Sequence, residues 1–221
     1  MKNPWIIVGA VTVVLIAVAV WYSGTVSERN NEGITFEAHT KGNPDAAVTL
    51  VKYSDLQCPA CASSVPVVNE ILAEYGDRLR FEYKHFPLPI HNLAKQAARA
   101  NEAAGQQGAF FAYQDLLFAN QGVWKISPNP TVLFFGYAEE LDFDVALFKK
   151  HLNASLISEK VNTEGQEARE LGVTGTPTFF LNGTRMAFST YEEFKNQIVV
   201  AIDPSSAGTS TPTGTTVQFG I

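Results

Sequence analysis

Cys58 and Cys61 are the only cysteines in the 221-residue chain, and Pro59 and Ala60 stand between them. Two thiols at this spacing can close to a disulfide and open again, or can hold part of a metal site. The flanking residues favour the first chemistry. Val48-Thr49-Leu50-Val51 is an apolar, β-branched run that reads as a strand. Val65, Val68, Ile71 and Leu72 follow at helical spacing. The thiols therefore sit where a strand turns into a helix. The first helical turn offers unsatisfied N–H groups and a partial positive charge, and both stabilise a thiolate, the reactive form of cysteine. Pro59 suits that first turn, where no N–H is needed. Cys58 is expected to be the exposed nucleophile and Cys61 its partner one turn in.

Other uses of the pair stay open at this point: buried small hydrophobes, half of a metal site, or a structural bridge. A zinc site needs further N or S ligands, yet there is no second cysteine pair, and His85 and His91 stand at no recognised ligand spacing. A bridge across two residues closes too small a loop to stabilise much. Redox exchange is the reading that the context supports. No metal and no separate cofactor are expected beyond the redox-active disulfide Cys58–Cys61.

The elements that must position the thiols follow from the rest of the chain. Hydrophobic residues make up 46% of it, enough for a full core, and a net charge of −6 argues against a nucleic-acid-binding face. Trp5 to Tyr22 is uncharged, with Trp5 at one end and Trp21-Tyr22 at the other. It reaches the lower limit of a membrane span, roughly 17–25 residues, and its aromatic ends resemble an interfacial belt. A cleaved signal is the alternative, since Ala17-Val18-Ala19 fits a cleavage pattern. Residues 1–23 are thus expected to be an N-terminal transmembrane anchor, or signal peptide, and 24–43 a linker, with a short strand at Ile34-Thr35-Phe36.

Residues 44–202 are expected to form the functional domain. After the strand and a helix from Pro59 to Tyr75, Arg78 to His85 alternates like a half-buried strand. Helical segments follow, at His91 to Gln107, Ala109 to Asn120, Thr131 to Leu141, Phe143 to Leu152 and Ser155 to Leu171. They form an insertion of about 89–171, expected to make one wall of a peptide groove. Thr178 to Leu181 and Thr184 to Phe188 flank Asn182-Gly183, a strong hairpin signal. Thr190 and Glu193 make a capping box for a last helix. Residues 203–221 are rich in Ser, Thr, Gly and Pro and are expected to be a disordered tail. The order implies an α/β fold with a mixed central sheet, an inserted α-helical domain and the N-terminal helix.

Four stretches carry a family resemblance: Tyr53 to Cys61, Tyr83 to Leu88, Phe111 to Phe118, and Val173 to Gly183 with its Thr176-Pro177-Thr178-Phe179-Phe180. Together they resemble the DsbA-like branch of the thioredoxin superfamily, in its membrane-anchored bacterial form. The resemblance implies a thioredoxin fold and thiol–disulfide oxidoreductase activity, with Cys58 as the attacked sulfur and Cys61 as the resolving one. It implies that Thr176-Pro177 is a cis-proline loop that holds substrate peptide. It also implies that Pro59 and Ala60 start the motif helix, Ala60 standing where many oxidising members carry histidine. Asp55 and Lys84 are candidates for tuning the pair, and His85 and His91 for lining the catalytic face.

The function expected is the introduction of disulfides into unfolded or reduced exported proteins, with a quinone-linked membrane protein as reoxidant. The chain would be single-pass in the cell membrane, with its catalytic domain on the extracytoplasmic side. A reductase or isomerase using the same site, and a non-catalytic client-binding module of the same fold, are the alternatives.

Overall fold

The strand that carries the motif sets the layers. In the computed structural model, which describes residues 4–206, helix α1 (Pro4–Asn31) leads through β1 (His39–Gly42) to strand β2 (Val48–Ser54). Helices α2 (Pro59–Ser63) and α3 (Val65–Tyr75) then cross to β3 (Leu79–His85). β2 and β3 run parallel, with Val48 opposite Leu79 and Ser54 opposite His85. A helical block follows: α4 (Ala94–Gly105), α5 (Phe110–Ala119), α6 (Gln121–Trp124), α7 (Pro130–Glu140), α8 (Val145–Leu152) and α9 (Ser155–Glu170). The sheet resumes with β4 (Thr178–Leu181) and β5 (Thr184–Arg185), and α10 (Tyr191–Ile202) closes the domain. The strand order is β1-β3-β2-β4-β5, so the motif strand is central in a mixed sheet.

Alternation along the strands sorts the core. Val48, Leu50, Phe81 and Phe179 pack with Val68 and Ile71 of α3 and Phe194 and Ile198 of α10. On the opposite face Tyr53 and Phe180 meet Ala168 of α9. The helical block has its own core, in which Tyr113, Leu117, Trp124, Phe134 and Phe148 are fully buried and Cys61 takes part.

Several boundaries differ from the expectations. The helix after the motif is broken at Ser64, because Pro66 has no N–H for the preceding turn and its ring crowds that turn's carbonyl. The strand expected at Ile34 to Phe36 lies at His39–Gly42 instead, paired antiparallel with β3. Gly42 ends it at φ 81, and a Cβ there would collide with the Leu79 carbonyl oxygen. The Asn182-Gly183 hairpin has positive φ at both positions, as a type I′ turn requires.

The expected linker is helical in its first part, since α1 runs on unbroken to Asn31. Among the described residues one helix, α1, is long and apolar enough to cross a membrane, and its side chains from Val8 to Tyr22 are exposed. Its far end is docked. Asn31 Oδ1 accepts the Leu156 N–H at 3.2 Å, and Asn31 Nδ2 donates to Ser155 Oγ at 2.9 Å. That contact caps α9 from outside, where its own N-cap residue, Ala154, has no acceptor. Of the expected tail, Pro204–Ser206 form one 3-10 turn; the rest lies outside the described residues.

Candidate active site

Cys58 is the N-cap residue of α2, in extended conformation, and Pro59 is the first helical residue. The Cys58 thiol donates to the Thr176 carbonyl oxygen at 3.3 Å, and the Thr176–Pro177 bond is cis. Two segments 118 residues apart thus meet at one sulfur. Cys58 is 6% exposed, more recessed than expected, because the Thr176 loop lies against it. Its pKa is lowered to about 5. The largest cause is hydrogen bonding from the Cys61 thiol; burial opposes it, and Thr176 and the backbone N–H groups of Cys61 and Ala60 add to it. Those amides belong to the first helical turn, so Ala60 contributes through its backbone.

Cys61 is fully buried, and burial pushes its thiol well above the ordinary range. Its sulfur accepts the Asp55 backbone N–H at 3.4 Å. Its carbonyl oxygen accepts from Ser64 Oγ at 2.7 Å and from Lys52 Nζ at 3.3 Å. Both cysteines are free thiols here. A low-pKa sulfur at the edge of the Thr176 loop beside a fully buried high-pKa sulfur is the asymmetry that ordered exchange needs.

The tuning candidates divide. The Asp55 carboxylate is a structural acceptor, taking the backbone N–H groups of Gln57 at 2.7 Å and Leu88 at 2.8 Å, with His91 Nδ1 at 2.8 Å. It fastens the loop after β3 to the motif and reaches Cys61 through its backbone alone. Lys84 is corrected. It shares the face of its register partner Tyr53 and binds Glu167 at 2.6 Å, so it has no contact with the pair through which to act. A chain turns each strand side chain to alternate faces, and position 84 falls on the wrong one.

Two residues at the site went unforeseen. Lys52 is 2% exposed, on the face of Val48 and Leu50. The signal was there: a lysine two positions beyond Leu50 in a strand falls on the core face. Gln121 donates to the carbonyl oxygens of Leu56 at 2.8 Å and Cys58 at 3.0 Å. It sits in the single turn of α6, too short to leave a periodic trace.

A groove of about 890 Å³ opens beside Cys58, lined by Ala60, Leu88, Ile90, Pro177, Met186 and Phe188 among others. No helix of the insertion lines it, contrary to expectation. Most apolar side chains of those helices pack in their own core, although Val123 and Val132 stay exposed. The block instead supports the motif from behind, through Gln121.

His85 does not line the catalytic face. It lies in a buried joint where His39 Nε2 stands 3.0 Å from both oxygens of Glu102 and His85 Nε2 stands 3.4 Å from one. Burial pushes the Glu102 carboxyl up, but the bonds to His39 and His85 outweigh it and hold the pKa at about 2. His85, Glu102 and Glu164 bring possible ligand atoms within 4.8 Å of one another. Glu164 is already engaged by the His85 backbone N–H and by Lys160. Ion pairing among β1, β3, α4 and α9 accounts for the group.

A family model described as thioredoxin matches residues 35–199. A protein named Na(+)/H(+) antiporter NhaA 1, from Salinispora arenicola, is 41% identical over 148 residues, which are 66% of this chain and 22% of that protein. The chain spans about a quarter of the length of the curated relatives it matches. Among solved structures, alpha-DsbA1 of Wolbachia pipientis superposes with a TM-score of 0.68 at 20% identity, covering 80% of this chain and 97% of that one. BdbD from Bacillus subtilis gives 0.66 at 20% identity, covering 78% and 94%. At these identities the likeness to the two structures is one of fold.

Proposed function

Because the chain belongs to the thioredoxin family, whose model spans most of its length, we propose that it is a thiol–disulfide oxidoreductase that donates the Cys58–Cys61 disulfide to reduced exported proteins. The observation that carries the reading is the Cys58 thiol at the start of α2, held 3.3 Å from the carbonyl oxygen of Thr176, which lines the groove; its lowered pKa fits that placement. In the oxidised form a substrate thiolate attacks the Cys58 sulfur. The Cys58–Cys61 bond breaks, a mixed disulfide forms on Cys58, and Cys61 leaves and is protonated. A second substrate thiolate attacks the substrate sulfur of that bond, and Cys58 leaves as a thiolate. Two electrons have passed from substrate to enzyme. A low-pKa leaving thiolate stabilises the reduced enzyme and so favours oxidation of the substrate.

Thr176 and Pro177 hold the substrate backbone beside Cys58, as an added strand would be held. Pro59 and Ala60 present the backbone amides that support the thiolate. No cofactor beyond the disulfide takes part. Helix α1 crosses the cell membrane once and keeps the domain on the extracytoplasmic side, where disulfides persist. A quinone-linked membrane protein reoxidises the pair.

The test uses the oxidised full chain in mild detergent with a reduced two-cysteine peptide. Peptide disulfide should form with the wild type and be lost with Cys58→Ser; an undiminished rate in that variant removes Cys58 from the mechanism. Equilibration with glutathione fixes the direction: a potential near that of thioredoxin, about −270 mV, overturns the oxidase reading.

A further inference from the structure

The exchange steps leave Lys52 without a task. Its ammonium group is buried between the rings of Phe118 and Phe179, 5.5 and 5.9 Å from their centroids. Its one hydrogen bond goes to the Cys61 carbonyl oxygen. Burying a charge without an anion is costly, and among the described residues no carboxylate pairs with it. Helix α2 presents Cys58 and Cys61, the charges that act on it. β3 presents its register partner Tyr83, whose phenol burial keeps protonated. β4 presents Phe179, and α5 presents Phe118, while Asp115 on the same helix interacts with Lys41. Just beyond β2, the Asp55 carboxylate is taken up by Gln57, Leu88 and His91. The anions that can form beside Lys52 are therefore the two thiolates.

We propose that Lys52 is the counter-charge of the reduced pair, taking up a proton when the disulfide is reduced and releasing it when the disulfide re-forms. This rests on the exchange reading above. Burial lowers the Lys52 pKa to about 8 even with Cys61 and Cys58 raising it. In the disulfide neither sulfur is charged, so burial acts alone and the Lys52 pKa falls further. Lys52 is a positioning residue: it bonds the Cys61 backbone and acts on the sulfurs through charge.

The balance with glutathione makes this measurable. Two glutathione thiols reduce the pair: the Cys58–Cys61 bond breaks, glutathione disulfide forms, two electrons transfer and two protons are freed. One proton ends on Cys61, and Cys58 remains a thiolate. The second ends on Lys52. No proton is released between the Lys52 pKa of the oxidised protein and that of the reduced one, about 8, so over that interval the equilibrium constant is independent of pH. Without a titrating group at position 52 the second proton goes to solvent, and the constant rises about tenfold per pH unit.

The experiment is equilibration of the full chain in mild detergent with glutathione across that interval and below it, for the wild type, Lys52→Met and Lys52→Arg. The expected result is a flat segment ending near pH 8 in the wild type and a tenfold rise per unit throughout in both variants, since arginine keeps its charge without titrating. A tenfold rise per unit throughout in the wild type, or a flat segment in a folded variant, overturns the proposal. Should neither variant fold, the Nζ resonance of Lys52 in isotope-labelled wild type decides. Its titration midpoint should lie at lower pH in the oxidised protein than in the reduced one; equal midpoints in both states overturn the proposal. Failure to exchange with glutathione at any pH is a separate result, and removes the exchange reading together with what rests on it.

Discussion

Replacing Cys58 should change how the stability of the reduced protein responds to pH, and by a predictable amount. The folded pKa is about 5 and the ordinary value 9.0. A depressed acid stabilises the fold above its unfolded pKa and loses that contribution as pH falls through the folded value. Between the two values the gain is about 1.4 kcal/mol per pH unit. From pH 5 to pH 7 the contribution of Cys58 should therefore grow by about 2 kcal/mol. The assay is urea unfolding of the reduced full chain in detergent, wild type against Cys58→Ser, at several pH values in that interval. Subtracting the variant cancels most of what the other carboxylates and histidines do. A difference that stays constant across the interval refutes the reasoning, because it means that Cys58 titrates near its ordinary value. A second measurement locates the cause. The Cys61 thiol is the first contributor to the low pKa, so Cys61→Ala should move the ultraviolet thiolate midpoint of Cys58 upwards, and Cys61→Ser should move it less. Equal midpoints in all three proteins would shift the cause to the helix amides.

Ala60→His should lower the Cys58 pKa further, since an imidazolium in the first helical turn adds positive charge beside the sulfur; the glutathione equilibrium should then favour the reduced enzyme more than in the wild type. Gln121→Leu leaves two carbonyl oxygens, those of Leu56 and Cys58, without their side-chain donor. It should cost about 1–3 kcal/mol in urea unfolding, and a neutral result would mean that solvent reaches those carbonyls. Lys84→Met should leave the Cys58 titration unchanged, because Lys84 pairs with Glu167 on the other sheet face; a shifted midpoint would restore it to the site.

The parts of the site that were readable in advance are those written in local chemistry. The cysteine spacing, the proline at the first helical turn, the Asn-Gly hairpin and the Thr190 cap each state their geometry within a few residues. The central motif strand and its parallel neighbour follow from hydrophobic alternation and chain order. What stayed hidden depends on contacts across long separations. Gln121 reaches the motif over 63 residues, and nothing near it in sequence records the fact. His39 carries no local signal, yet it closes on Glu102 from 63 positions away. The break at Ser64 was legible in Pro66 and outweighed by the hydrophobic period. Lys52 was legible too: the same alternation that placed Leu50 inside places a lysine inside two residues later.

The docked end of α1 has a mechanical meaning. A tether of flexible residues would let the domain tumble over the membrane surface, sampling substrates at a modest effective concentration. Here the helix is continuous through Asn31 and fastened to α9 by Ser155 and Leu156. From Tyr22 to Asn31 it rises by about 14 Å. Under the membrane placement proposed above, the domain would stand on a short stiff post. Such a post trades reach for aim: it would favour partners that arrive at a constant height above the bilayer.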